Sequence, residues 1–227
     1  MGRGSLCLLF FALFFLLVSL GLTLTSIVTD FWYTADATAS TNTTVQTVFS
    51  YNFGMWRKCY THSMPDSVPL ERRAGMCGYT YQDLLPVRED TRTFDEKRYL
   101  HLERSWLGCM IACAAVQIFS VLSLICGLWP ADCKSFKKSS LYLVSAILCL
   151  IAGLCGIASG ICFIALRDKD IYMRMIYPSH VTYAYSWSFA LGWGGTGLCL
   201  LEGFIFLCLL RKDYDNVNET RKYNSFG

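Results

Sequence analysis

Charged residues are scarce in this sequence. Asp, Glu, Lys and Arg make up 16% of its 227 residues, whereas soluble domains carry roughly 25%. The deficit is concentrated in four stretches that are almost free of charge, which a single water-soluble core would not produce. The formal net charge is only +3, too little for nucleic-acid binding to be inferred from charge. These absences exclude a soluble globular enzyme, a disordered chain and a fibrous chain.

Residue patterns that carry catalysis or bind metals are also missing. There is no Cys-x-x-Cys pair, so a redox enzyme would lack its nucleophile motif. The three histidines, His62, His101 and His180, are far apart, show no metal-ligand spacing and accompany no recognisable pair of carboxylates. We therefore expect a non-enzymatic protein with no cofactor and no metal.

Each of the four uncharged stretches is long enough to cross a bilayer. A helix rises about 1.5 Å per residue, so roughly 20 apolar residues cross a hydrocarbon core of about 30 Å. The predicted spans are 6–28, 105–129, 141–166 and 186–210. A cleaved signal peptide is the alternative for the first stretch. That stretch exceeds the roughly 7–15 apolar residues of such peptides and contains no small-residue cleavage site, so we predict a retained helix.

We predict that residues 1–227 form a single domain. The loop 130–140 predicts which side of the membrane each of its loops faces. This loop carries three lysines against one aspartate, and short basic loops remain in the cytoplasm. With four crossings, both termini, including the tail 211–227, are then cytoplasmic. The loops 29–104 and 167–185 face outside the plasma membrane, which the chain reaches through the endoplasmic reticulum.

The twelve cysteines separate into two groups under this topology. Ten lie in the spans or beside their cytoplasmic ends, where a thiol is typically a small packing group. Two of these, Cys133 and Cys208, are alternatively sites for palmitoylation. Only Cys59 and Cys77 face the oxidising exterior, and an isolated pair there is expected to form a disulfide.

The first outer loop also predicts a glycan and a sheet. Asn42-Thr43-Thr44 is an acceptor sequon in a Thr/Ser/Ala-rich exposed segment, which predicts a glycan on Asn42. Asn218-Glu219-Thr220 has the same pattern but falls on the cytoplasmic tail, beyond the glycosylation machinery. The segment 45–60 is rich in Val, Thr, Phe and Tyr, which is typical of strands.

A set of residues in and around this loop is more specific. Its members are Trp32, Gly54, Met55, Trp56, Cys59, Cys77 and Arg104. This set resembles the signature of the claudin superfamily, W…G-L-W-x-x-C…C…R, with Met55 in place of the usual Leu. The superfamily joins claudins, peripheral myelin and epithelial membrane proteins, calcium-channel gamma subunits and the related AMPA-receptor regulatory proteins.

The resemblance implies a mainly α membrane fold. That fold is a left-handed four-transmembrane-helix bundle with an extracellular antiparallel β-sheet, built mostly from the first outer loop with one strand from the second. Seventeen residues separate Cys59 from Cys77, whereas barrier-forming claudins usually keep a much shorter spacing. The chain also ends in Asn-Ser-Phe-Gly rather than Tyr-Val. These departures, and the similarity of 185–189 to a gamma-subunit motif, favour a gamma-like or orphan claudin-like branch.

Polar and small residues inside the predicted spans leave two alternatives open. Glu202 is the one charged residue within the four spans, and it either lies inside the bundle or faces a partner's helix. Glycines let helices approach closely, either within the bundle or at a partner-binding face. The glycines concerned are Gly153, Gly156, Gly160 and Gly192.

Three functions are compatible with this sequence. The first is an accessory subunit that modulates the gating or trafficking of an ion channel or receptor, binding this integral membrane partner through spans three and four and the extracellular sheet. The second is a claudin-like cell-junction or adhesion protein that associates with other copies of itself. The third is a regulator of membrane organisation or signalling without a channel partner. In each case the chain lies in the lipid bilayer and binds no nucleic acid.

Overall fold

The fold is mainly helical, with one small antiparallel sheet. The computed structural model describes residues 3–80, 94–128, 138–173 and 180–224. Its helices are α1 (Arg3–Val28), α2 (Thr43–Phe49), α3 (Phe94–Leu128), α4 (Lys138–Met173) and α5 (Trp187–Asn224). The loop 130–140 and Cys133 lie outside the described residues, apart from the first turn of α4.

Four of the described helices are long and apolar enough to cross a membrane, by length and composition. The candidate spans are Leu9–Val28, Lys97–Leu128, Ser140–Asp168 and Trp187–Arg211. They coincide with the four uncharged stretches of the sequence. The helices themselves extend further: α3 begins before the predicted second span, α4 continues into the second outer loop, and α5 continues into the tail. The charged residues of 94–104, just before the predicted second span, are therefore part of α3.

The sheet has six strands in the order β4-β5-β3-β2-β1-β6, and its pairings are antiparallel. The strands are β1 (Tyr33–Asp36), β2 (Tyr51–Phe53), β3 (Arg57–Tyr60), β4 (Arg73–Ala74), β5 (Cys77–Tyr79) and β6 (Thr182–Tyr185). Five strands come from the first loop and one from the second, as the resemblance implied. Tyr33 lies opposite Phe53 on one side and opposite Tyr185 on the other, so β1 joins the two loops.

The prediction of strands over 45–60 is wrong for its first part, where α2 lies instead. The Asn42 side chain caps this helix by accepting the Thr44 N–H at 3.0 Å. The Gln46 Nε2 donates to the Ser40 carbonyl at 2.6 Å, and the Thr47 hydroxyl donates to the Thr43 carbonyl at 2.9 Å. These local side-chain-to-backbone bonds stabilise a helical turn that the strand propensity of the segment did not indicate.

The chain divides into two compact units. The first comprises Met1–Gly21, Ala112–Gly156 and Gly194–Gly227, and the second comprises Leu22–Ile111 and Ile157–Trp193. The first unit is a packed helical region. Its buried apolar core consists of Leu9, Ala12, Leu16, Cys113, Val121, Leu124, Tyr142, Ala146, Cys149, Ala152, Cys199 and Phe206. The second unit contains the sheet and most of the aromatic packing.

Polar groups inside the first unit bond to one another, as an apolar surrounding requires. The Ser120 and Ser145 hydroxyls are 2.8 Å apart, and the Ser19 hydroxyl donates to the Gly195 carbonyl at 2.7 Å. On the outer surface of α1, Phe10, Phe11 and other large apolar side chains are exposed. An apolar exterior around paired polar groups is the arrangement expected of a protein in lipid.

Candidate functional site

The predicted disulfide is present and joins β3 to β5, next to the edge strand β4. Strand β3 carries Cys59 and strand β5 carries Cys77, and the register places the two residues directly opposite each other. Their sulfurs are bonded, which confirms the pairing. The residues between them form a short 3₁₀ turn (Leu70–Arg72) and strand β4. The extra residues between the cysteines thus extend the sheet beyond the disulfide.

Gly54 allows the backbone at Asp30, just after the end of α1, to lie close against the sheet. A Cβ atom at Gly54 would lie 2.5 Å from the Cα of Asp30 and 2.7 Å from its Oδ1. The Gly54 N–H also donates to the Arg57 carbonyl at 2.9 Å. Glycine is required here by lack of space and not by an unusual backbone angle.

This close approach brings Asp30 to Arg57, a pair that the sequence analysis missed. The Arg57 Nη2 lies 2.5 Å from Asp30 Oδ2, and its Nε donates to the same oxygen at 2.9 Å. The hydrogen bond and charge of Asp30 raise the pKa of the Arg57 guanidinium. The carboxylate is mostly buried whereas the guanidinium is partly exposed, so the pair links the end of the first span to β3. The available signal was that both residues lie beside signature positions.

Trp32 is the buried centre of an aromatic cluster in the second unit. Its side chain is 1% exposed. Its ring centroid lies 5.2 Å from that of Trp106, 5.0 Å from that of Phe163 and 5.9 Å from that of Phe189. Its Nε1 donates to the Ser26 carbonyl at 2.6 Å. The indole therefore satisfies a carbonyl near the end of α1 while its rings hold three helices together.

The remaining signature residues have different environments. Met55 is buried, and a flexible thioether can fill the apolar site where the family usually has Leu. Trp56 is half-buried, and its carbonyl accepts the Thr80 N–H at 3.0 Å. Arg104 is half-buried on α3. The signature is therefore mainly a packing framework, and its members are not gathered in a catalytic constellation.

Arg167 is a second residue that the sequence analysis missed. It is 3% exposed although it carries a charge. Its guanidinium carbon lies 4.5 Å from the ring centroid of Phe53 and 5.4 Å from that of Phe163, and its Nη2 donates to the Tyr99 hydroxyl at 3.5 Å. Aromatic faces stabilise a desolvated guanidinium through cation–π attraction. The spacing of Phe163 and Arg167, one helical turn apart, was the available signal.

Two of the four glycines pack inside the first unit. A Cβ atom at Gly153 would collide with the Leu200 side chain, and one at Gly156 would collide with the Thr196 side chain. Both glycines are on α4 and both neighbours are on α5. These glycines therefore allow close contact between α4 and α5. Of the two roles considered for them, this is packing within the bundle and not binding of a partner.

The other two glycines pack inside the second unit. A Cβ atom at Gly160 would lie 2.5 Å from the Trp193 ring, and one at Gly192 would lie 2.8 Å from the Ser26 hydroxyl. Both distances are shorter than real Cβ contacts. These positions are therefore also occupied by the chain's own side chains, and they offer no groove to a partner.

Alanine at Gly156 is expected to destabilise the protein by roughly 1–3 kcal/mol, because the added methyl group meets the stiff, β-branched Thr196. Gly197→Ala is the matched control, since a Cβ there meets nothing within 4 Å. We expect the control to keep the stability of the parent protein or to gain up to about 1 kcal/mol, because alanine favours a helix more than glycine does. Thermal unfolding of the two variants in one detergent compares them, and equal midpoints would contradict the internal packing.

Glu202 lies inside the first unit. It is 3% exposed, whereas the adjacent Leu201 is 55% exposed. Its Oε2 has no hydrogen-bond partner among the described residues, and two buried hydroxyl groups of the same unit, those of Ser120 and Ser145, bond to each other. Of the two alternatives, the structure favours the internal one, and a partner helix has no access to this carboxyl group in the single chain.

Asn42 is exposed at the beginning of α2. Its side-chain oxygen caps the helix, so its amide nitrogen, the atom that a glycan would modify, points away from that hydrogen bond. The exposed position is compatible with the predicted glycan.

The described residues hold no group of three His, Cys, Asp or Glu side chains placed to bind a metal ion. His62, His101 and His180 are exposed. Cys208 is an exposed free thiol, and the other predicted palmitoylation site, Cys133, lies outside the described part of the chain. The candidate site is a sheet surface braced by the disulfide and attached to a packed aromatic framework.

A comparison with known protein families agrees with this geometry. A model of the family described as PMP-22/EMP/MP20/Claudin tight junction matches residues 17–208. The match includes the sheet, the disulfide, all of α3 and α4, and parts of α1 and α5.

Proposed function

The chain belongs to the PMP-22/EMP/MP20/claudin family of multi-pass membrane proteins, and on that premise we propose that it is a non-enzymatic accessory subunit. In this proposal it binds an integral membrane channel or receptor and modulates that partner's gating or trafficking. The observation that supports it best is the extension of the sheet between Cys59 and Cys77. This extension is braced by the disulfide and differs from the shorter connection of barrier-forming claudins.

The extension also exposes apolar side chains. Leu70 is 79% exposed and Met76 is 41% exposed, and both lie in the segment between the two cysteines. Exposed apolar groups that form one patch are typical of protein contacts, and we propose that these two side chains belong to such a patch. We propose that the partner contacts this segment and the lipid-exposed faces of α4 and α5, because the glycines and Glu202 of these helices face inward.

The proposal includes an orientation and a location. The sheet faces outside the plasma membrane, and both termini are cytoplasmic. A disulfide in the sheet supports this orientation, since disulfides form in the endoplasmic reticulum and persist outside the cell. The basic loop 130–140 between two spans supports it independently.

A junction or adhesion role is the second candidate function. The description of the matching family includes tight-junction proteins, and a rigid exposed sheet also suits contact with a second copy on a neighbouring cell. The two functions differ in what the sheet binds, and one purification distinguishes them.

Affinity purification of the tagged full chain from native membranes in mild detergent tests the proposal. We expect a channel or receptor subunit in near-stoichiometric yield with the parent chain and with Phe94→Ser, a control that removes an exposed apolar group outside the extension. The double variant Leu70→Ser, Met76→Ser should lose it. Recovery of further copies of the chain with junctional scaffold proteins, and no channel or receptor, would overturn the accessory role in favour of adhesion.

Glycosylation tests the proposed orientation. Thr44→Ala removes the sequon but keeps the Asn42 cap, and Thr44→Ser keeps both, so the pair separates the glycan from helix stability. We expect glycosidase treatment to increase gel mobility for the parent and for Thr44→Ser, and not for Thr44→Ala. A shift that survives Thr44→Ala but disappears with Asn218→Gln would place the tail outside and contradict the orientation.

A further inference from the structure

The segment that joins β1 to α2 presents several hydroxyl groups at the surface. The Ser40 N–H donates to the Ala37 carbonyl at 2.9 Å, which closes a turn with Thr38 and Ala39 at its tip. Thr38, Ala39 and Thr41 are exposed, whereas Ala37 and Ser40 are buried. Exposed loop tips with small and polar residues are the places where enzymes such as proteases most readily reach a folded chain. This segment is therefore suited to enzymatic modification.

Most hydroxyl groups of this segment are already engaged or lie in a helix. The Thr38 hydroxyl is hydrogen-bonded to the Asp36 carboxylate, and the Ser40 hydroxyl accepts the Asn42 N–H at 3.3 Å. The other threonines that follow, Thr43, Thr44 and Thr47, belong to α2. An enzyme that binds its acceptor peptide in an extended form would have to unwind that helix. These hydroxyl groups are therefore poor acceptors.

Thr41 differs from these residues. Its side chain is exposed, it lies in neither a helix nor a strand, and its hydroxyl has no hydrogen bond within the described part of the chain. The next residue, Asn42, has an extended backbone with φ −92° and ψ 114°. On the other side, the Ser40 carbonyl accepts the Gln46 side-chain amide at 2.6 Å. Both neighbours are thus anchored, and the Thr41 hydroxyl is left pointing to solvent.

We propose that Thr41 carries a mucin-type O-linked glycan that begins with N-acetylgalactosamine. In the transfer, the Thr41 Oγ1 bonds to the anomeric carbon of UDP-N-acetylgalactosamine, and the bond from that carbon to the diphosphate breaks. UDP leaves with the electron pair of that bond, and the hydroxyl proton is released. A separate Golgi transferase catalyses the step, so this chain supplies only the acceptor. Segments rich in Ser and Thr are typical of such glycans, and the small neighbours Ala39 and Ser40 leave room for the sugar.

The predicted N-glycan on Asn42 is attached to the very next residue. N-glycans are transferred before the chain folds, whereas O-linked transfer in the Golgi follows folding. An N-glycan is bulky, and the Cα atoms of adjacent residues are only about 3.8 Å apart, so a glycan on Asn42 would cover Thr41. We therefore expect the two glycans to exclude each other, with the O-glycan on molecules whose Asn42 is unoccupied.

This modification requires the proposed outward orientation of the sheet, because both kinds of glycan are added in the lumen of the secretory pathway. It therefore rests on that part of the proposed function. The proposed partner contacts include the extension formed by β4 and β5, which β3 and β2 separate from β1 in the sheet. A glycan on Thr41 therefore leaves the extension accessible to a partner.

Mass spectrometry of the Thr44→Ala chain from animal cells tests the site, because this variant removes the sequon and keeps the Asn42 cap. We expect O-linked N-acetylhexosamine on Thr41, its loss when Thr41→Val is added, and no loss with Thr38→Val, the matched control. On the parent chain we expect it only in the fraction without the N-glycan. An unmodified Thr41 in Thr44→Ala, or both glycans together on one parent molecule, would overturn the proposal.

A second experiment separates the acceptor site from the orientation. The Thr44→Ala chain is purified from cells that lack UDP-N-acetylgalactosamine, placed in lipid nanodiscs and incubated with this nucleotide sugar and a purified transferase. Both sides of a nanodisc are accessible, so we expect transfer to Thr41 whatever the orientation in cells. No transfer here would overturn the site, even where the parent carries its Asn42 glycan. Transfer here with no glycan on either residue in cells would instead overturn the orientation, and the cellular modification with it.

Discussion

Replacing both Cys59 and Cys77 by serine is expected to retain the protein in the endoplasmic reticulum. The disulfide closes a loop with a sequence separation of 18 residues, for which the chain-entropy relation gives about 3 kcal/mol of stabilisation. Strand β4 has two residues and β5 has three, so few backbone hydrogen bonds remain to hold this end of the sheet. Without the disulfide we expect the extension to separate from β3.

Surface biotinylation, and the sensitivity of the predicted glycan to endoglycosidase H, measure this retention. Cys126→Ser is the matched control, since Cys126 is a free and exposed thiol on α3, and it should reach the surface like the parent. Normal surface delivery of the double variant, or a mass spectrum of the parent showing both thiols free, would contradict the structural role of the disulfide.

The helical part of the fold follows from composition. A bilayer has no water to bind backbone groups, so long uncharged stretches must form helices. This is why the four spans could be located from the scarcity of charge. The ends of the helices could not be located in this way. Polar residues are compatible with either a helix or a loop, and here they continue α3 and α5 beyond the uncharged stretches.

Strands β2 and β3 could be predicted from the residue content of 45–60, whereas the strand from the second loop could be predicted only from the resemblance to the family. For the segment 43–49, strand propensity was misleading, because strand propensity mainly reflects packing against neighbouring strands. The Asn42 cap and the hydrogen bond of Gln46 to the Ser40 carbonyl act within one turn and determine the helix. A capping residue before a Thr-rich segment was the missed signal.

The internal contacts of the site could not be predicted from the sequence. Asp30 and Arg57 are 27 residues apart, and only the close approach at Gly54 brings them together. For Glu202, the cost of burying a carboxyl group in the bilayer was evident, but the direction of its side chain depends on how α5 is rotated. That rotation is set by packing, which places Leu201 outward and Glu202 inward.

The signature residues and the segment between the two cysteines have different roles in the sheet. The signature glycine and the buried Trp32 are used to attach the sheet to the helices of the second unit. The residues between the two cysteines form the exposed extension. We therefore expect substitutions in the framework to reduce folding, and substitutions in the extension to change binding while the protein still reaches the surface.

Trp32→Ala is expected to cause the largest loss of stability of any single substitution in the sheet framework. Truncating a fully buried Trp or Phe typically costs roughly 3–5 kcal/mol, and Trp32 contacts the rings of Trp106 and Phe163. Trp32→Phe keeps part of the ring but removes the donor to the Ser26 carbonyl at 2.6 Å. A buried group left without its partner costs roughly 1–3 kcal/mol, so this variant should be intermediate.

Trp187→Ala is the matched control for these two variants. Trp187 is 46% exposed and stacks on Phe31 at 5.4 Å, so its removal creates no enclosed cavity and should cost much less. Thermal unfolding of all three variants in the same detergent, together with their surface levels, should give the order Trp187→Ala, Trp32→Phe, Trp32→Ala from most to least stable. A cavity of the size of an indole ring cannot form in a packed interior without loss of stability. If Trp32→Ala unfolded at the same temperature as Trp187→Ala, the aromatic cluster would therefore not be what joins the sheet to the helices.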